Sequence, residues 1–168
     1  MYLRPLRASD TNSVVAAVRS SRSLHRGWVT PPATLSEFRR YLQRLSTPTH
    51  RGFLVILKQT RQLVGVININ NIILGHLRSA FLGYYVFADF AGQGLMREAM
   101  LLVLKHAFKK MKLHRLEANI QPNNPSSISL ARNCGFTKEG YSRRYLKVSG
   151  KWRDHERWAI LAEDLRSH

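Results

Sequence analysis

Three groups of residues in this chain have the types and spacing to do chemistry. The first is Gly92-Gln93-Gly94, set between the apolar run Tyr84-Tyr85-Val86-Phe87 and a helical pattern that opens at Leu95. Glycine carries no Cβ, so the backbone there can turn sharply and approach a ligand closely. The N–H groups that open a helix lack intrahelical partners and lie at the positive end of its dipole. A strand, a G-x-G loop and a helix start therefore make a cradle for a diphosphate without a charged side chain. Two other phosphate loops are excluded: there is no G-x-x-x-x-G-K-[ST], and Arg97 stands where the dinucleotide fingerprint has its third glycine. The second group is Asn124-Pro125-Ser126-Ser127, after the alternating segment Leu116–Gln121. Asn124 suits an N-cap and Pro125 the first helical position. Gly135 ends that helix. The third group is acid–base: Glu117, Glu139 and the pair Asp154-His155. The lone Cys134 reads as a small buried thiol rather than a nucleophile.

In order and spacing, Asp89–Glu98, the Asn124 turn and Cys134-Gly135-Phe136-Thr137-Lys138-Glu139-Gly140 resemble the GCN5-related N-acetyltransferase (GNAT) family, over roughly residues 60–160. Tyr145-Leu146-Lys147-Val148-Ser149-Gly150-Lys151-Trp152-Arg153-Asp154-His155 resembles its RimJ/RimL branch, on the RimJ side, whose members acetylate the N-terminal amine of ribosomal proteins. The resemblance implies acetyl-CoA as co-substrate and no metal. It places the diphosphate on backbone amides from Phe90 through Ala91, Gly92, Gln93, Gly94, Leu95 and Met96. It pairs the pantetheine arm, as an added strand, with edge groups of Tyr85, Val86 and Phe87, and brings Asn124 to that arm. Ser127 is then the proton donor to the departing thiolate. The acceptor is a protein N-terminal α-amine, expected to be that of a ribosomal protein.

Three positions depart from the family pattern. Asp89 stands where the loop usually opens with Gln or Arg. Ala131 stands seven residues after Asn124, where many members carry a tyrosine acid. Leu146 stands where RimL-type proteins carry a glutamate base. Glu117, on the strand leading to the Asn124 turn, is therefore the candidate base, with Asp154, His155 or water as alternatives. An α-amine, with a pKa near 8, needs less base strength than a lysine amine near 10.4.

Composition sets the outer bounds. The length of 168 residues and a hydrophobic fraction of 44% suit one domain, taken as 1–168, with a single core. There is no apolar run long enough for a membrane span, and Met1–Leu6 lacks the apolar block of a signal peptide. A single cysteine makes no internal disulfide, and a cytoplasmic protein is expected. Lys and Arg number 27 against 10 Asp and Glu, a net charge of +17. Such a field attracts polyanions, coenzyme A and ribosomal RNA among them. Helical spacing puts Arg97, Lys105, Lys109 and Lys112 on a solvated face. Arg143, Arg144, Lys147, Lys151, Arg153 and Arg157 are interleaved with Tyr141, Tyr145, Trp152 and Trp158, a pattern that suits RNA. Two rivals remain: an acetyltransferase of a small amine (antibiotic or polyamine), which this charge disfavours, and a non-catalytic RNA-binding module. Oligomeric state is left open.

The elements that must position these groups follow from periodicity. Strand patterns fall at 2–7, 53–57, 63–71, 79–87, 115–121, 136–146 and 152–161, and helical patterns at 9–22, 34–46, 93–110 and 124–133. This is an α+β chain with a mixed, mostly antiparallel sheet of about seven strands and about four helices. The family resemblance adds a splay between strands four and five.

Overall fold

The run Arg51–Ile56 is buried along nearly its whole length, because the sheet it enters is covered on both faces. The computed structural model describes residues 1–167. In chain order they form β1 (Tyr2–Pro5), α1 (Thr11–Ser20), α2 (Arg22–His25), α3 (Leu35–Leu45), β2 (Arg51–Ile56), β3 (Leu63–Ile73), β4 (Ser79–Val86), α4 (Leu95–Lys109), β5 (Arg115–Ile120), α5 (Pro125–Asn133), β6 (Thr137–Val148) and β7 (Lys151–Leu161), with short 3-10 turns between. The sheet order is β1-β2-β3-β4-β5-β7-β6. Neighbours are antiparallel except β4 and β5, which run parallel.

Strand alternation sends successive side chains to opposite faces. Leu54 and Ile56 pack with Val14, Val18 and Phe38 of α1 and α3. Phe53 and Val55 join Met100, Val103 and Leu104 of α4 in the larger cluster on the other face, which also takes Ala131 of α5 and Ile160 of β7. Trp158, expected on the basic surface, is 3% exposed and belongs to that core.

The helical run expected over 9–22 divides, so the described residues hold five α-helices rather than four. Ser21 makes the break. Its hydroxyl donates to the Ala17 carbonyl at 2.7 Å and accepts the Ala88 N–H at 2.8 Å, so it ties the end of α1 to the segment after β4. A side chain that bonds its own backbone competes with helix continuation. At the other end of α1, Asp10 is the N-cap residue but makes no side-chain cap. Its carboxylate instead takes both guanidinium nitrogens of Arg4 and the Arg7 N–H. α3 opens on a capping box, with Glu37 bonding back to Thr34.

The splay is visible in the register. β4 and β5 pair from Ser79↔Arg115 to Leu82↔Ala118 and no further. Beyond that, β4 stays with β3 as far as Gly65↔Val86, while β5 stays with β7 as far as Ile120↔Glu156. Two different partners hold the two strand ends, and a gap opens from Gly83 onward.

Candidate active site

A cleft of about 700 Å³ occupies that gap, walled by the α4 start on one side and α5 on the other. Gly92 and Gly94 sit at φ +75° and +73°, left-handed values that glycine adopts without strain, and Gly94 caps α4. The N–H groups of Gly92, Gln93, Gly94, Leu95 and Met96 find no acceptor among the described residues. Five consecutive unpaired amides at a helix start fit an anionic diphosphate. The expected run is shorter at its beginning. The Phe90 and Ala91 N–H groups donate to the Phe87 and Ala88 carbonyls in a 3-10 turn. Asp89 adds no side-chain ligand; its carbonyl accepts from the Gln93 amide at 2.8 Å. Arg97, expected in solvent, lines the cleft and donates to the Asn133 carbonyl at 3.0 Å, which sets a cation beside the amides.

The edge of β4 also differs from expectation. The Phe87 N–H donates to the Val64 carbonyl at 2.8 Å. Antiparallel strands alternate, so Tyr85 and Phe87 turn their backbone groups to β3, and Tyr84 and Val86 turn theirs to the gap. An added strand would therefore pair with Tyr84 and Val86. The Val86 carbonyl is already engaged by His25 Nε2 at 2.7 Å. A carbonyl can only accept, so Nε2 carries the proton and Nδ1 is left buried without a partner. Burial pushes the His25 pKa down.

On the α5 wall, Asn124 Oδ1 accepts the Ser127 N–H at 3.1 Å, so the N-cap reading holds, and both residues line the cleft. Tyr84 faces them from β4. Burial pushes its phenol up to about 12, against a smaller downward pull from the Ser127 hydroxyl. The phenol is thus protonated at neutral pH and sits beside the hydroxyl expected to act on sulfur. A sequence signal for it exists: Tyr84-Tyr85 is a doublet in a strand, so one ring must face α5. Cys134 is buried and its thiol is pushed up to about 11, as an inert core group.

The candidate bases separate. Glu117 does not reach the cleft: it accepts from Arg115 Nε at 2.8 Å, and the same guanidinium grips Glu139. Asp154 takes the Tyr141 hydroxyl at 2.6 Å and the Arg144 N–H at 2.7 Å, where it pins a bulge in β6. His155 does line the cleft, 3% exposed. Its Nδ1 donates to the Arg153 carbonyl at 2.9 Å, so Nε2 keeps its lone pair. Burial lowers its pKa below 6.5, against smaller upward pulls from that carbonyl and Asp154.

A second cavity of about 400 Å³ opens under α3 on the opposite face of the sheet. Val29, Gly83, Tyr84 and Tyr85 line both spaces, so they meet across the end of β4. Among the described residues there is no metal-type cluster of His, Cys, Asp and Glu, and no helix long and apolar enough to cross a membrane.

A cleft with five free amides at a helix start, opened by a splay between two parallel strands of a seven-stranded sheet, fits a phosphorylated coenzyme. Residues 1–137 match the acetyltransferase (GNAT) domain, and the chain belongs to the GNAT family. A Bacillus subtilis protein described as "Probable N-acetyltransferase YjcK" is 31% identical over 98% of this chain and 95% of its own. The [ribosomal protein uS5]-alanine N-acetyltransferase of Escherichia coli is 36% identical over 62% of this chain, a match that spans about half (54%) of that protein. The structure of Mycobacterium smegmatis RimJ in complex with CoA-disulfide superposes with a TM-score of 0.89 at 30% identity, over 97% of this chain and 82% of that one. A spermidine N(1)-acetyltransferase of Vibrio cholerae is 25% identical over 96% of this chain and 92% of its own. The protein is a GNAT-fold N-acetyltransferase with RimJ among its relatives.

Proposed function

We propose that residues 1–168 form one enzyme that moves the acetyl group of acetyl-CoA to a protein N-terminal α-amine, a ribosomal protein being the acceptor. The observation that carries this reading is the pair of cavities meeting at Gly83–Tyr85: a coenzyme and an acceptor can reach one point from opposite faces. The ribosomal acceptor is supported by the uS5-alanine acetyltransferase and RimJ relatives. When bound, acetyl-CoA supplies an activated acetyl thioester. The amides of Gly92–Met96 bind its diphosphate, and the backbone edge of Tyr84 with the Val86 N–H orients its arm. His155 Nε2 takes the proton that the amine loses as the C–N bond forms. Ser127 Oγ donates a hydrogen bond or proton to sulfur as the C–S bond breaks, and the protonated Tyr84 phenol supports it. Reactants held in line by such groups avoid much of the entropic cost of the encounter.

The basic β6–β7 hairpin is the proposed contact to ribosomal RNA. Arg143, Arg144, Lys147, Lys151 and Arg153 are exposed there, with Tyr141, Tyr145 and Trp152 between them. Labelled acetyl-CoA incubated with the enzyme and a lysate lacking N-terminal acetylation tests the reading. The label is expected on the N-terminal residue of a ribosomal protein; label confined to small amines contradicts it.

A further inference from the structure

The cavity under α3 is chemically one-sided. Arg40 and Arg44, one helical turn apart, both line it. The Arg44 guanidinium lies 5.4 Å from the centre of the Tyr41 ring, which orients it. Neither side chain donates to a protein acceptor among the described residues. The Tyr85 hydroxyl, on a residue 8% exposed that lines both cavities, also has no partner. The acceptor side chains on this lining are engaged except for one oxygen, Glu37 Oε1. Asn68 Oδ1 takes the Tyr41 hydroxyl at 2.5 Å. Glu37, the one carboxylate here, takes the Ala33 and Thr34 N–H groups at 2.8 and 3.0 Å. Those bonds hold its carboxyl below the usual carboxylate range. What remains is two free guanidinium groups and a phenol against one open carboxylate oxygen. A polyamine, which has donors alone, finds one open carboxylate oxygen and two like-charged guanidinium groups. A carboxylate and a peptide carbonyl find what they need, since guanidinium forks match carboxylates in geometry and charge.

We propose that Arg40 and Arg44 are specificity residues that receive an acidic side chain within the first few residues of the acceptor. Tyr85 is the inner donor to a backbone carbonyl of the same segment. The acceptor is then an N-terminus followed by Asp or Glu. This rests on the reading of an N-terminal peptide acceptor and narrows it.

The experiment compares kcat/KM for three free-amine peptides that differ at residues two to four: Ala-Glu-Glu-Glu, Ala-Gln-Gln-Gln and Ala-Lys-Lys-Lys, with one common tail. Glu over the isosteric Gln is expected to gain tenfold or more at low salt. In the Arg40→Gln, Arg44→Gln double variant that ratio is expected to fall towards one, with coenzyme affinity unchanged by calorimetry. A charge-matched control, Arg39→Gln with Lys109→Gln, removes two cations that line neither cavity and is expected to keep the ratio. Equal Glu and Gln rates in the wild type overturn the proposal and leave the peptide acceptor standing. A ratio that survives in the double variant, or falls equally in the control, also overturns it, since the general field then does the selecting. No turnover of any peptide overturns the N-terminal acceptor and the proposal with it.

Discussion

The two faces of the splayed sheet offer different means of binding. On the α4–α5 face the anion cradle is backbone: five free amides, two glycines in left-handed conformation and a helix dipole. On the α1–α3 face the lining is side chain: Arg40, Arg44, Tyr41 and Tyr85. Amides stay the same when side chains change, so the first face suits an invariant ligand such as a coenzyme. Side-chain donors can be exchanged one at a time, so the second face suits an acceptor that differs between relatives. The contrast agrees with relatives named for uS5 alanine and for spermidine on one shared fold.

The largest effect separating the two faces is expected from Gly94→Trp. It strains a left-handed position and places an indole at the cradle, so coenzyme affinity should drop beyond detection by calorimetry while the protein stays folded by circular dichroism. Unchanged affinity would break the backbone side of the comparison. Ser127→Ala comes next. Loss of one well-placed donor costs on the order of 2–4 kcal/mol in the transition state. That loss should fall on kcat, with little change in coenzyme Kd. Wild-type turnover in this variant would assign sulfur protonation to another group, with Tyr84→Phe as the next variant to assay.

His155→Gln should lower kcat/KM on the order of 10²-fold. Because the folded pKa of His155 lies below 6.5, its Nε2 is free at neutral pH and is lost as pH falls through that lower value. The wild-type acid limb should therefore inflect below 6.5 and vanish in the variant, while the limb set by the α-amine near 8 persists. A limb that survives substitution would leave the amine proton to water.

The smallest effect is expected from Arg143→Gln with Arg144→Gln on a free peptide, which should hardly change. On ribosome-bound acceptor the same pair should flatten the salt dependence, since each phosphate contact contributes roughly 0.7–0.9 to the slope of log affinity against log salt. Equal salt slopes for peptide and ribosome would remove RNA docking.

What could be read in the chain followed the same divide. The G-x-G loop, the Asn124 cap and all seven strands rest on local spacing, and the structure places them within a few residues of the expected bounds. Ser21 split a helix through a bond to Ala88, 67 residues away, and spacing does not register that. The base was harder still. Glu117 sits on the expected strand, but Arg115, two residues earlier, and Glu139, from β6, close it into an ion cluster. His155 reaches the cleft because β7 lies next to β5 in the sheet, an order that chain position conceals. Tyr84 and Tyr85 were read as one apolar run, yet they serve opposite faces.

Which nitrogen receives the acetyl group separates an N-terminal acceptor from every other amine. Tandem mass spectrometry of a peptide with a free α-amine and an internal lysine, after reaction with the enzyme and acetyl-CoA, reads that directly. Acetyl is expected on the α-amine alone, with no product when that amine is blocked. Acetyl on the lysine side chain, or equal product from the blocked peptide, would contradict an N-terminal acceptor.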